Sequence, residues 1–227
     1  MGRRIGGSHR LPIVRSRECE NQTMGLPDLE RASQYALVRL QRELPPQLFY
    51  HGIAHTRDDV VPAARRLAEL EEVDGEDLLL LTTAALYHDL GFIEQYEDNE
   101  VISVRIAAES LPDFGYRPAQ VDVISRIIMA TRLPQTPQTL PEEIMADADL
   151  DVLGRDDFWT KNAALRAELT AFGKQTSDEE WYGSQLRMLQ THRYFTASAR
   201  MLRDAGKRQH TEETLRRLND LLRPFSP

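Results

Sequence analysis

The chain has 227 residues, 41% of them hydrophobic, and a formal charge of −8. That length suits one large domain with a sizeable core. The acidic balance argues against a nucleic-acid backbone as the main ligand, because such binders carry a basic surface. A small phosphorylated ligand needs only local positive charge. No apolar run approaches the roughly 18 residues a membrane span requires. Cys19 is the sole cysteine, which excludes an intrachain disulfide and a thiolate zinc cluster and makes a reducing cytoplasm the expected location.

Residues 1–25 set Arg3, Arg4, Arg10, Arg15 and Arg17 against two glutamates, without an apolar period. They read as a basic, unstructured tail with no secretory h-region, and Met24 is a candidate start. Residues 26–227 read as a single all-α domain. Pro27-Asp28-Leu29-Glu30 opens a helix that runs to about residue 43 and stops at Pro45-Pro46. The next spans about 55–70, with Val60, Ala63, Ala64 and Leu67 on one face and Pro62 marking a bend or boundary. A helix over about 76–90 is apolar nearly all round, as a central buried helix is. Others follow at about 99–111 and around Ile124, Ile127 and Ile128. Residues 133–141 carry three prolines and form a loop. Helices then span about 142–153, 157–172, 178–204 and 211–222. No segment shows the period-2 alternation of a strand.

Three windows carry metal-binding residue types. His51 and His55 lie in Tyr50-His51-Gly52-Ile53-Ala54-His55, where a helix starting at or before His51 would place both rings on one face. The bland alternative, two surface histidines at a helix start, is equally favoured by this pair alone. His88-Asp89 closes the most apolar helix, where an isolated carboxylate is expensive to bury. Asp147, Asp149 and Asp151 separate on a helical wheel of about 100° per residue. Asp149 falls inside the apolar arc, whereas Asp147 and Asp151 fall in the polar gap and are expected to be solvated or to support the ligands from outside.

Together, His55, then His88-Asp89, then Asp149 resemble the ligand order of the HD superfamily of metal-dependent phosphohydrolases. The match to Ala84-Ala85-Leu86-Tyr87-His88-Asp89-Leu90-Gly91-Phe92 and Ala148-Asp149-Leu150 extends over about residues 50–155. The resemblance implies an HD-domain helical bundle; additional C-terminal helices over about 156–223 lie beyond it and are expected to pack over the site. It implies that His55, His88, Asp89 and Asp149 hold a divalent metal, with Mn, Fe, Co, Zn and Mg not distinguished. Catalysis would fall to Asp89 and to His51, the proton donor to the leaving oxygen in the phosphodiesterase branch. Many family members place further histidines after the pair for a second metal. Asp98-Asn99-Glu100 offers none here, so one well-held ion is expected and a second only loosely. Arg57, Arg132 and Arg155 are candidates for binding substrate phosphate, and Glu94, Glu100 and Asp147 for supporting the centre. The expected activity is hydrolysis of a phosphoester in a small nucleotide-like molecule, a phosphodiester before the alternatives of nucleotidase or nucleoside triphosphate hydrolase. A non-catalytic metal- or nucleotide-binding regulatory module is the remaining reading. The expected partner is a small phosphorylated substrate rather than a membrane or nucleic acid, and a homo-oligomer is compatible with it.

Overall fold

A computed structural model describes residues 26–223; the basic stretch with Cys19 and Met24, and residues 224–227, lie outside the described residues. All regular structure among the described residues is helical, in line with the sequence. The first helix, α1 (Leu29–Glu43), starts where Asp28 accepts a hydrogen bond from the Arg31 amide at 3.0 Å. It buries Ala32, Ala36 and Leu40, one residue per turn along one stripe.

A wide, π-type turn at His55–Val60 leads directly into α2 (Val61–Leu70). The Val61 amide reaches back five residues to the Thr56 carbonyl, so the extra residue is taken up just before Pro62. Such widened turns recur at functional sites. The centre of the bundle is α3 (Gly75–Tyr87), in which every residue from Leu80 to Tyr87 is buried. The hydroxyl of Thr83 is satisfied there by the Leu79 carbonyl at 2.8 Å and by Tyr116 at 2.7 Å. Around α3 pack α1, α2, α5 (Pro118–Met129) and α6 (Leu140–Asp149), while α4 (Asn99–Ser110) lies mainly against α5 and the turn that follows α3.

The C-terminal region departs from the sequence reading. Instead of one helix over 178–204 and another over 211–222, α7 (Phe158–Ala171) is followed by α8 (Asp178–Thr191) and an unbroken α9 (Ala197–Leu222). The break between α8 and α9 is fixed by Asp147. Its carboxylate accepts the Phe195 and Thr196 amides, both at 2.8 Å, and the Thr196 hydroxyl at 2.7 Å. Thr196 in turn caps α9 through the Ala199 amide.

Asp147 and Asp151 are therefore not solvated. Both are buried, and Asp151 is gripped by Arg203 of α9 at 2.5 and 2.8 Å. A wheel drawn for one helix does not register that a later helix covers its polar face. Glycine permits that cover: a Cβ on Gly206 would overlap the Gly154 backbone, and one on Gly154 would overlap the backbone of Arg203.

Candidate metal centre

Three backbone segments bring the site together. His55 opens the wide turn, His88 and Asp89 follow the last turn of α3, and Asp149 ends α6. The His88 ring donates from Nδ1 to the Ala85 carbonyl at 2.8 Å, which leaves Nε2 as the free nitrogen. The chain then turns sharply, because Ser103 Oγ both donates to the His88 carbonyl at 2.6 Å and accepts the Gly91 amide at 2.8 Å. Any side chain on Gly91 would overlap the Asn99 carbonyl.

Four donor atoms converge as a result. His55 Nε2 lies 3.2 Å from Asp149 Oδ1 and 3.6 Å from Asp89 Oδ2. His88 Nε2 lies 3.2 Å from Asp89 Oδ2 and 3.5 Å from Asp149 Oδ1. His55, His88 and Asp89 each offer a ligand atom within 4.8 Å of the other two, close enough to share a divalent cation, and Asp149 Oδ1 flanks both imidazoles. His88 Nε2 and Asp89 Oδ2 are moreover buried without a hydrogen-bond partner. Orphaned buried polar atoms are costly, and a shared cation relieves both at once.

Electrostatics agree. Burial pushes the Asp149 carboxyl up, but the hydrogen bond with His55 and the nearby His88 imidazole outweigh it and hold the group well below the carboxylate range. Asp89 is lowered against burial by His88, and His88 is raised against burial by Asp89 and Asp149. The cluster keeps its carboxylates ionised, the form a metal requires.

Beside it stands His51. Regular helix begins only at Ile53, after His51, yet the His51 and His55 rings lie 5.6 Å apart between centroids. The cause is Glu168 of α7, which no sequence motif signalled. It is fully buried, accepts the Tyr50 and His51 amides at 2.8 and 3.0 Å, binds His51 Nδ1 at 2.5 Å and accepts the Tyr96 hydroxyl at 2.9 Å. Phe92 stacks on the His51 ring at 4.5 Å. Burial lowers the His51 pKa, but the Glu168 bond and the Asp89 charge overcome it and leave the imidazole raised.

A cavity of about 330 Å³ opens from the cluster, with His51, Asp89, Asp149 and Glu100 in its wall. Glu100 is raised by burial and by the negative charge of Asp89 and Asp149. The other candidates from the sequence are placed differently. Arg57 forks onto Asp58 at the surface, Arg132 pairs with Asp98, and Arg155 is held by Asp59 and Asp157 at 2.8 and 2.6 Å. None of the three lines the cavity, and neither does Glu94, which is paired with Arg105 at the surface, or Asp147, which is spent on the α8–α9 break. Lys161 is the cation that does line it, tethered to Asp59 at 2.5 Å. A lone lysine on an amphipathic helix gave no signal in the sequence. As expected, the C-terminal helices cover the site: α7 and α8 complete the cavity wall.

A model of the HD domain family matches residues 59–151, a span that includes His88, Asp89 and Asp149 and begins after His55. Two solved structures share the fold. One is a predicted HD superfamily hydrolase from an uncultured Thermotogales bacterium, 22% identical with a TM-score of 0.56, covering 86% of this chain and 94% of its own. The other is Bacillus subtilis YpgQ in complex with ADP, 20% identical with a TM-score of 0.58, covering 86% of this chain and 100% of its own. No curated protein matches the chain.

Proposed function

We propose that this chain, an HD-domain protein, is a metal-dependent phosphohydrolase acting on a small nucleotide-like phosphoester. The carrying observation is the grouping of ligand atoms of His55, His88 and Asp89 within 4.8 Å of one another, with Asp149 Oδ1 beside both histidines and both carboxylates in the cavity wall. A divalent cation held by these four would supply Lewis acidity, lowering the pKa of water and offsetting charge on a phosphoryl oxygen.

The chain's own residues account for the rest. Asp89, Asp149 and Glu100 face the cavity opposite Lys161 and His51, and a cation bound at the cluster would offset the carboxylate charge that a phosphate meets there. His51, its Nδ1 engaged by Glu168, keeps Nε2 for the substrate and is set to pass a proton from that nitrogen to a departing oxygen. Glu100, unpaired with any cation in its immediate wall and raised in pKa, is the candidate to take a proton from attacking water. Lys161 is the candidate contact for a non-bridging phosphate oxygen.

A phosphodiester is the first substrate class to test. A nucleoside polyphosphate is the second, favoured by the ADP held by YpgQ. No helix among the described residues is long and apolar enough to cross a membrane. The deciding experiment incubates the metal-loaded protein with cyclic nucleotides, nucleoside mono- and triphosphates and bis(p-nitrophenyl) phosphate, beside Asp89→Asn. Turnover of one class by wild type and its loss by at least 10³-fold in Asp89→Asn is the expected outcome, on the scale of removing a group that acts in the transition state. Failure of the protein to bind Mn, Fe, Co, Zn or Mg would remove the proposal.

A further inference from the structure

The wall that α7 and α8 contribute to the cavity differs from the cluster end. Phe158, Leu165 and Met188 make it apolar, and two neutral amides, Asn162 and Gln185, stand among them. Those amides are chained. The indole Nε1 of buried Trp181 donates to Asn162 Oδ1 at 3.1 Å, and Asn162 Nδ2 donates to Gln185 Oε1 at 2.5 Å.

An indole nitrogen only donates. Trp181 therefore compels Asn162 to turn its oxygen inward, which sends the Asn162 N–H to Gln185. Gln185 must accept with its own oxygen, and its NH₂ becomes the outward end. The orientation of both amides follows from chemistry, not from which terminal atom is labelled N. Gln185 Nε2 donates to no acceptor among the described residues, although its side chain lines the cavity.

We infer that Trp181, Asn162 and Gln185 form a polarised relay that selects the part of the substrate remote from phosphorus: a flat, apolar-faced group with a carbonyl oxygen at its edge. This deepens the phosphohydrolase reading and, as to substrate, rests on it. A group presenting an amino N–H at that point meets a donor with a donor. A site built to hydrogen-bond one edge discriminates strongly against an edge that leaves its polar group unpaired. Gln185 is the specificity-determining residue and Trp181 a positioning residue acting through it.

Inosine and adenosine monophosphates differ at one edge, carbonyl against amino, and serve as the probe pair. With Mn-loaded protein, calorimetry is expected to show inosine monophosphate bound about tenfold more tightly. Gln185→Glu keeps the acceptor for Asn162 but presents oxygen outward, so the preference should reverse. Trp181→Phe frees both amides to turn, and the ratio should move toward one. Caffeine, flat and rich in acceptors but lacking phosphate, supplies a metal-free arm: the side-chain NH₂ signals of Gln185 should shift when it is titrated to millimolar concentration. An identical nucleotide ratio in wild type and Gln185→Glu overturns the relay, as does a caffeine titration that leaves those signals unmoved. A protein that binds no metal yet shows the caffeine shift upholds the relay and removes the phosphohydrolase reading instead.

Discussion

Glu168 shows how much one buried carboxylate can organise. It lies 117 residues from His51, yet it holds that ring by Nδ1 and fixes the backbone on which the ring stands. Its charge also sets the proton affinity of the imidazole. Burial alone would lower the His51 pKa, and the ion pair is what carries it upward. If His51 acts as an acid, activity is lost as pH rises through its pKa. Glu168→Gln keeps the shape but removes the charge, so the pKa falls and the alkaline limb of kcat/KM moves to lower pH. A loss of roughly 10–100-fold in kcat is expected, on the scale of other supporting hydrogen bonds, with Mn affinity unchanged by calorimetry. An unmoved alkaline limb would show that His51 is not the proton donor. His51 itself was legible in the sequence, because a histidine four residues before a ligand is a local pattern. Its partner was not, because a glutamate on a polar helix looks like any solvated side chain until the fold buries it.

At the scale of elements, periodicity placed α1, α3, α4 and α6 within a few residues and located α5 without its ends, whereas the segment read as one helix over 55–70 divides into a π-type turn and α2. It failed at the α8–α9 junction and at Asp147 and Asp151, and for a common reason. There the decisive partner comes from a distant segment, and local pattern carries no record of it. Gly206 illustrates the point: it falls between the two helices expected at 178–204 and 211–222 but lies inside α9, at the place where that helix crosses the short turn Asp151–Gly154. In an exposed helix Gly→Ala stabilises by about 1 kcal/mol. Here the added methyl meets the Gly154 carbonyl, and overpacking costs about 1–3 kcal/mol. Gly206→Ala is therefore expected to lower stability despite better helix propensity. A melting curve checks the sign: a drop of a few degrees fits, given about 2–4 °C per kcal/mol for a domain of this size, and a rise would mean that α9 does not press on that turn.

Taken whole, the molecule brings together at one point the start of the wide turn at His55, the end of α3 at His88 and the end of α6 at Asp149. The candidate residues stood in short local motifs that the sequence displays; that His55, His88 and Asp89 come within 4.8 Å of one another was not legible, since it depends on how distant segments pack. A cation bound to the folded chain alone stabilises it by mass action, about 2.7 kcal/mol at a hundredfold excess over Kd, or roughly 5–11 °C in Tm at the conversion just used. The dependence on pH has a definite sign. His88 is raised above the ordinary imidazole value by Asp89 and Asp149 against its burial, so the metal-free protein keeps its proton to higher pH than a free imidazole would. Metal must displace that proton, and the rise in Tm on adding Mn should grow with pH through the neutral range and shrink below it. Asp89→Asn removes one ligand and the main charge acting on His88, so its Tm should respond to neither Mn nor chelator. Equal Mn-induced shifts in wild type and Asp89→Asn would place the ion elsewhere. A wild-type shift independent of pH would mean that His88 is not among its ligands.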